Sequence, residues 1–261
     1  MKLNKLMMLW LVFSLFHVKF TLAQDDNLIT EGIIEFEKSA NKFALIEKSL
    51  IKYNSNTMKE EFIKYKASHP QFLKLKSSLS FSSEKTLYMP SRNNESDLEN
   101  RWNGKNIVSQ INTVYNDFST HTTITEKEIY GDFFLIKDSV RKITWKITDE
   151  TREIAGYKCR RANGIIMDSI YVVAFYTSKI PIEGGPESFS GLPGMILGVA
   201  LPHENTTWFA TKVNIKPVIL NDKHAPKKGV LTNYRKLFMK LKATFENDFR
   251  AGQDILKELM L

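Results

Sequence analysis

Cysteine is almost absent from this chain: among its 261 residues, Cys159 is the one thiol. A single cysteine excludes an internal disulfide, so the chain must fold by burying apolar side chains. Cys159 lies in a stretch with the alternation of a strand, on the face opposite Lys158 and Arg160. This position favours a buried thiol that packs as a small apolar group. The alternatives are a reactive nucleophile and a bridge to another chain.

Long apolar runs are also scarce, and the one from Leu6 to Phe16 is too short to span a membrane. Lys2 and Lys5 precede it, and Thr21-Leu22-Ala23 follows with small residues on either side of Leu22. These features predict a signal peptide over residues 1–23 and an exported protein that is soluble after cleavage. The alternative is an uncleaved anchor.

Charge of one sign is not concentrated in any region. Lys and Arg number 37 against 29 Asp and Glu, a net charge of +8, of which three units would leave with the signal peptide. The scattered basic residues exclude the basic, aromatic-rich surface of a nucleic-acid-binding protein. Metal-ligand spacings, a Gly-rich phosphate loop and a Gly-x-Ser-x-Gly motif are all missing. The sequence therefore predicts no metal site, no cofactor and no nucleic-acid partner.

Alternating apolar and polar residues, punctuated by turn residues, make up most of the chain. A first strand is expected to run from about residue 27 to 45, and strand spacing returns near 79–88, before an exposed polar loop over 91–105. Further strands are expected at 107–115, 119–130, 132–136, 141–148, 154–163, 168–177, 195–201 and 206–216. Because short turns join them, these strands predict an antiparallel meander rather than βαβ units.

Helical spacing occurs near residues 58–75, where His69-Pro70 interrupts it, and again in the amphipathic stretch 231–261. The predicted fold is therefore mainly β, of the β-rich α+β kind. It is one curved antiparallel sheet or half-barrel, with a helix near residues 58–75 and a C-terminal amphipathic helix. The expected organisation is a signal peptide over 1–23, a β domain over 24–230 and a C-terminal helix over 231–261.

Glycine and proline are concentrated in one window. Five of the twelve glycines and three of the eight prolines lie between Ile180 and Gly198, and the flanking residues are apolar. Glycine permits backbone angles that side chains forbid, and proline fixes φ and removes a donor. The window therefore predicts a tight, folded connection between two buried strands rather than a flexible linker.

Four blocks of sequence follow one another at defined spacings: Trp145–Thr148, Ile154–Ala162, Phe175–Pro181 and Gly184–Leu197. Together they resemble the GLPGLI family, exported Bacteroidota proteins of unknown function. Met195 replaces the leucine of the family name and Phe175 stands where tryptophan is usual, both apolar exchanges. The resemblance implies a β-rich fold and a periplasmic or outer-membrane-associated location. It supplies no active site.

By analogy, such proteins look like the open half-barrels of periplasmic lipoprotein carriers, whose concave apolar face holds a hydrophobic ligand. The family also looks associated with outer-membrane TonB-dependent transporters, which implies a protein partner. Our hypothesis is a non-catalytic binding or accessory module for an apolar ligand or an outer-membrane transporter. The candidate binding residues are those of the window and its neighbours: Tyr176, Pro181, Gly185, Pro186, Phe189, Gly191, Leu192, Pro193, Gly194 and Trp208.

Two alternatives remain open. The first is a periplasmic hydrolase-like enzyme that uses carboxylates of the 180–205 region, namely Glu183 or Glu187, with His203. The second is an accessory protein that docks through its C-terminal helix. The first alternative requires these carboxylates and the histidine to lie within hydrogen-bond reach of one another.

Overall fold

The computed structural model describes residues 28–53, 56–91, 112–244, 256–257 and 259–261. The predicted signal peptide and most of the predicted loop 91–105 lie outside these residues. The strands are β1 Glu31–Asn41, β2 Phe72–Ser82, β3 Lys85–Pro90, β4 Asn112–Asp117, β5 Thr122–Ile129, β6 Asp132–Ser139, β7 Thr144–Ile154, β8 Tyr157–Ile166, β9 Ile170–Thr177, β10 Met195–Leu201, β11 Thr206–Asn214 and β12 Val230–Thr232. The helices are α1 Lys42–Tyr53, α2 Asn56–Ser68 and α3 Tyr234–Thr244.

The strands form one open sheet in the order β12-β6-β5-β4-β3-β2-β1-β11-β10-β9-β8-β7. Strand β1 lies in the middle and pairs with β2 on one side and β11 on the other. Two antiparallel meanders, β2 to β6 and β7 to β11, therefore extend from it in opposite directions. Strand β12 pairs with β6 in parallel. The predicted mainly β fold, with one antiparallel sheet and a C-terminal helix, is confirmed.

Helix α2 confirms the helix predicted near residues 58–75, but it ends at Ser68. Residues 72–75 belong to β2 instead, where Leu73 is buried between exposed neighbours. Pro70 explains the difference, because it has no N–H to donate and disfavours helical angles in the residue before it. The helical spacing of Phe72 and Leu75 was coincidental.

The first strand was expected to continue to about residue 45, and this was wrong. Strand β1 ends at Asn41 and α1 begins at Lys42. The Asn41 side-chain oxygen accepts a hydrogen bond from the backbone N–H of Ala44 at 3.1 Å. Asparagine is a favoured N-cap because its side chain satisfies a helix N–H that has no partner within the helix. This cap starts the helix.

The segment from residue 178 to residue 194, which we call the bend, connects β9 to β10. Its backbone is tied to itself and to β10: Gly191 N–H donates to the Glu183 carbonyl at 2.9 Å, and Ile196 N–H to the Gly184 carbonyl at 2.8 Å. Gly194 has φ +142°, and a Cβ there would overlap the Thr177 backbone. The predicted tight connection is thus a fixed part of the fold.

Two large apolar clusters pack against the sheet, and the bend contributes to both. Phe189 and Leu192 belong to one cluster, and Ile180 and Ile182 to the other. Cys159 lies in the second cluster, where burial raises its pKa to about 12 despite a backbone hydrogen bond with Ile154 that opposes the shift. The prediction of a buried thiol is confirmed.

The C-terminal part of the chain covers β5 and β6. Leu237 and Leu241 of α3 pack there with Ile136, and Leu256, Leu259 and Met260 join the same cluster. Residues 231–232, which the amphipathic pattern included in a helix, form β12. None of the helices in the described part of the chain is long and apolar enough to cross a lipid bilayer.

Candidate binding site

The bend places one carboxylate in the protein interior. Glu187 has φ +53°, in the left-handed region that residues other than glycine rarely adopt, and its side chain is 7 % exposed. Its Oε1 accepts a hydrogen bond from Lys38 Nζ at 3.4 Å, and its Oε2 accepts one from Asn112 Nδ2 at 2.8 Å. Lys38 belongs to β1 and Asn112 to β4, which are separated by two strands. The bend therefore crosses the face of the sheet that carries Lys38 and Asn112, which we call the inner face.

Strand register adds two more side chains to this face. Lys38 lies opposite Trp208 of β11, and Asn112 lies opposite Lys127 of β5. Directly opposite residues of an antiparallel pair project to the same face. Lys38 Nζ is 4.9 Å from the centroid of the Trp208 ring, within the range of a cation–π contact. We call Lys38, Tyr88, Asn112, Lys127, Glu187 and Trp208 the polar cluster.

Several buried polar atoms in and around this cluster have no hydrogen-bond partner among the described residues. They are Ser77 Oγ, Asn112 Oδ1, Thr125 Oγ1, Arg141 Nη1, Ser190 Oγ and Trp208 Nε1. The Ser77 hydroxyl and the Trp208 indole lie beside the Tyr88 hydroxyl, but no hydrogen bond of normal geometry joins either of them to it. A buried polar group without a partner costs about 1–3 kcal/mol, so each of these atoms needs a partner that the described residues do not supply.

The electrostatics of the cluster follow from burial. Burial lowers the pKa of Lys127 to about 7; Glu187 opposes this shift, while Arg141 and Lys38 add to it. Burial also lowers the pKa of Lys38, and the paired Glu187 counteracts it. The pKa of Tyr88 lies well above its ordinary value because the side chain is buried and Glu187 is near. Lys38, Lys127 and Arg141 thus give this region more N–H donors than acidic acceptors, which favours ligands that present oxygen acceptors.

Residues 259–261 lie against this region through their backbone. Lys127 Nζ donates to the Leu259 carbonyl at 2.8 Å, and Arg141 Nη2 donates to the Met260 carbonyl at 2.7 Å. Ser188 Oγ, in the bend, donates to the Leu261 carbonyl at 3.4 Å. The side chains of Leu259, Met260 and Leu261 are buried. The inner face therefore holds an apolar segment through its carbonyl oxygens.

The predicted binding residues divide between two places. Trp208 belongs to the polar cluster, and Phe189 packs against it with ring centroids 5.6 Å apart. Gly185, Pro186 and Leu192 are buried in the bend. Tyr176 and Pro193 line a separate open groove of about 850 Å³, together with basic residues such as Lys158 and Arg160. Pro181 and Gly191 are exposed, and Gly194 is buried against β9.

The residues of the hydrolase alternative lie in different environments. Glu183 and His203 are exposed, while Glu187 is buried. His203 lies in the turn of residues 202–204, and its neighbour Glu204 contacts Lys48 at 3.5 Å. In the described part of the chain, no three histidine, cysteine or acidic side chains form a group that could hold a metal ion.

Sequence reasoning missed Lys38, Asn112 and Lys127. One of them had a detectable signal: Ile34, Phe36, Lys38 and Ala40 follow the period of two that marks the buried face of β1. A lysine at such a position is expected to have a specific partner, because burying an unpaired charge is costly. No pattern in the sequence indicates that Glu187 is that partner.

A second lysine–carboxylate pair lies elsewhere on the sheet. Lys85 of β3 contacts Asp117 of β4 directly and lies 3.3 Å from Asp222. The Tyr115 hydroxyl donates to the same Asp222 carboxylate at 3.0 Å, and Asp117 Oδ1 accepts from Ser119 N–H at 3.1 Å. We call this group the surface clamp. It fastens the turn of residues 222–224 to the sheet.

The comparison with protein families bears on the glycine- and proline-rich window. Residues 165–198 match the profile of a family described as "Protein of unknown function (Porph_ging)". This is the GLPGLI family of Bacteroidota proteins. The match confirms the resemblance. It covers β9, the bend and the start of β10, which is the part of the chain that positions Glu187. No curated protein matches the sequence.

Comparison with solved structures gives one likeness in fold at a TM-score of 0.50. The structure of PNGF-II in the C2 space group has a TM-score of 0.50 at 14 % identity and covers 79 % of this chain but 31 % of PNGF-II. PNGF-II in the P21 space group gives 0.49 at 14 % identity, over 81 % of this chain and 33 % of that one. An uncharacterized conserved protein from Thermus thermophilus has a TM-score of 0.36 at 8 % identity. The match covers 80 % of this chain and 93 % of that protein. At these identities the likeness concerns the fold alone.

Proposed function

We propose that this chain is an exported, non-catalytic binding protein. Its ligand is an apolar molecule with oxygen acceptors, held on the inner face of the sheet beneath the bend. The polar cluster binds the oxygen atoms, and the apolar cluster around Phe189 and Leu192 contacts the rest of the ligand. The observation that carries this proposal is the convergence of Lys127, Arg141 and Ser188 on three carbonyl oxygens of one apolar segment.

General physical chemistry supports this assignment. Ligand sites are mostly apolar cavities in which a few convergent polar groups fix orientation. Buried polar atoms without partners in the described part of the chain, such as Asn112 Oδ1 and Thr125 Oγ1, are typical of places where another molecule supplies the missing partner.

The hydrolase alternative has less support. Glu187, its one buried carboxylate, is bound by Lys38 and Asn112, so it is held as a charged acceptor rather than beside a nucleophile. His203 is exposed in a turn. An outer-membrane transporter as partner remains part of the proposal on the strength of the family resemblance alone.

Native mass spectrometry of the protein purified from its own cell envelope tests the proposal, followed by a titration with palmitate. We expect a retained apolar ligand and an affinity at least about tenfold lower in Lys127→Met, because a buried N–H donor to the ligand oxygen is lost. Lys85→Met is the matched control, since Lys85 lies in the surface clamp, and its affinity should equal that of the wild type. No retained ligand together with no palmitate binding would contradict the proposal.

A further inference from the structure

The side chains that contact the backbone of residues 259–261 come from three separate parts of the fold. Lys127 belongs to β5, Arg141 to the connection between β6 and β7, and Ser188 to the bend. Their partners Leu259, Met260 and Leu261 are 132, 119 and 73 residues distant in sequence. Local chain geometry therefore does not produce these contacts. The segment is seated in the tertiary structure as a ligand would be.

The three side chains bind the backbone of this segment rather than its side chains. All three donors bind carbonyl oxygens, and residues 256–257 and 259–260 are helical. The last carbonyls of a helix lack partners within the helix, so side chains from elsewhere can satisfy them. The side chains of Leu256, Leu259 and Met260 pack with Ile136 and Phe134 of β6. Any short apolar helical segment with free terminal carbonyls offers the same chemistry.

The segment does not satisfy every donor around it. Arg141 Nη2 binds the Met260 carbonyl, whereas the buried Nη1 of the same guanidinium has no partner among the described residues. Ser190 Oγ, two residues after Ser188, is likewise buried without a partner in the described part of the chain. A ligand with one or two additional oxygen acceptors would therefore bind this place better than the chain's own segment does.

We propose that residues 256–261 are an internal stand-in for an apolar peptide of a partner protein, which displaces them from the inner face. This inference rests on the proposed function and names its ligand class. A tethered segment competes at a high effective concentration, so a free peptide binds the wild-type protein weakly unless the segment is released.

A labelled synthetic peptide of residues 254–261, added to the full-length chain, tests this inference. Leu259→Asp places a charge at a buried position of the segment and should release it. We expect the peptide to bind this variant at least about tenfold more tightly than the wild type. Adding Arg141→Met to Leu259→Asp should abolish the gain. Leu231→Asp is the matched control, because Leu231 is 69 % exposed in β12 and should leave peptide affinity at the wild-type value.

Palmitate serves as the second probe. A Leu259→Asp variant that binds palmitate but not the peptide, or that binds a scrambled peptide equally well, would overturn the peptide inference and leave the proposed function intact. Binding of neither probe would overturn both. If Leu259→Asp does not fold, hydrogen exchange of the wild-type chain decides. Saturating peptide should accelerate exchange of residues 256–261, and unchanged exchange would refute displacement.

Discussion

Two lysine–carboxylate pairs on the same sheet have different environments. Lys38 and Glu187 are 5 % and 7 % exposed, and several polar atoms around them lack partners in the described part of the chain. Lys85 and Asp117 are 25 % and 8 % exposed, and each has further partners on nearby turns. The first pair is buried beneath the bend, whereas the second joins surface segments.

The comparison teaches which of the two pairs serves stability. A well-satisfied ion pair near solvent fastens a turn at little desolvation cost. A deeply buried pair loses hydration that its mutual attraction seldom repays, so its presence is weak evidence for a gain in stability. The proposed function therefore assigns the pair under the bend to binding.

The largest expected effect comes from breaking the buried pair. Lys38→Met should destabilise the fold by about 3–5 kcal/mol, because Glu187 remains buried without its cation. The double variant Lys38→Met/Glu187→Gln should recover much of that loss. Lys85→Met should cost about 1 kcal/mol or less, since Asp117 keeps its hydrogen bonds with Ser119 and Thr120 and Lys85 is partly screened by solvent. Urea unfolding measures the free energy of unfolding of all three variants. Equal losses of stability in Lys38→Met and Lys85→Met would show that the two pairs do not differ.

The next effect concerns the bend that delivers Glu187. Gly194→Ala should destabilise by roughly 2–3 kcal/mol, because φ is +142° there and the new Cβ would overlap the Thr177 backbone. Gly156→Ala is the control, with φ +82° and nothing within 4 Å of a new Cβ. Its cost should be about 1 kcal/mol, from backbone strain alone. Thermal melts that rank the two variants the other way would show that the bend does not depend on the close approach at Gly194.

Above neutral pH the free energy of unfolding should depend on the protonation of Lys127 in the polar cluster. The pKa of Lys127 is lowered to about 7 from 10.5, so between those values the unfolded chain binds the proton that the folded chain has released. Stability should therefore rise with pH in this window, by about 2 kcal/mol between pH 7 and 9. In Lys127→Met this contribution disappears. Parallel stability–pH curves for the wild type and this variant would mean that Lys127 titrates normally.

The smallest expected effect concerns the surface clamp at acidic pH. Here stability should fall as the pH is lowered below the ordinary pKa of Asp117. Burial alone would raise the pKa of Asp117, but hydrogen bonds with Lys85 and Ser119 outweigh it and lower the value to about 2 from 3.8. The stabilisation is complete above pH 3.8 and is lost as pH falls toward 2. Between pH 5 and 3 we expect a loss of less than about 1 kcal/mol, because Lys85 is partly screened by solvent. Asp117→Asn should remove this dependence, and a wild-type curve that stays flat in this range would argue against the clamp.

Local patterns predicted much of the fold. Alternation located most strands, and the position of Cys159 on the apolar face indicated its burial. The same patterns failed where local rules conflict: Asn41 caps a helix within what looked like a continuing strand, and Pro70 separates helical from strand spacing. Of the predicted binding residues, Trp208 and Phe189 lie together, while Tyr176 and Pro193 face a different groove. Glu187, predicted only as a carboxylate of the hydrolase alternative, shares its Lys38 partner with Trp208.

The sequence by itself determined an antiparallel β protein with one rigid glycine- and proline-rich connection, because alternation and backbone restriction act between near neighbours in the chain. Only the tertiary structure decided which charged and polar groups meet. Lys38, Asn112, Lys127 and Glu187 come together through strand order, through register and through the path of the bend over the sheet. Those depend on contacts between residues far apart in the chain, which no local pattern encodes.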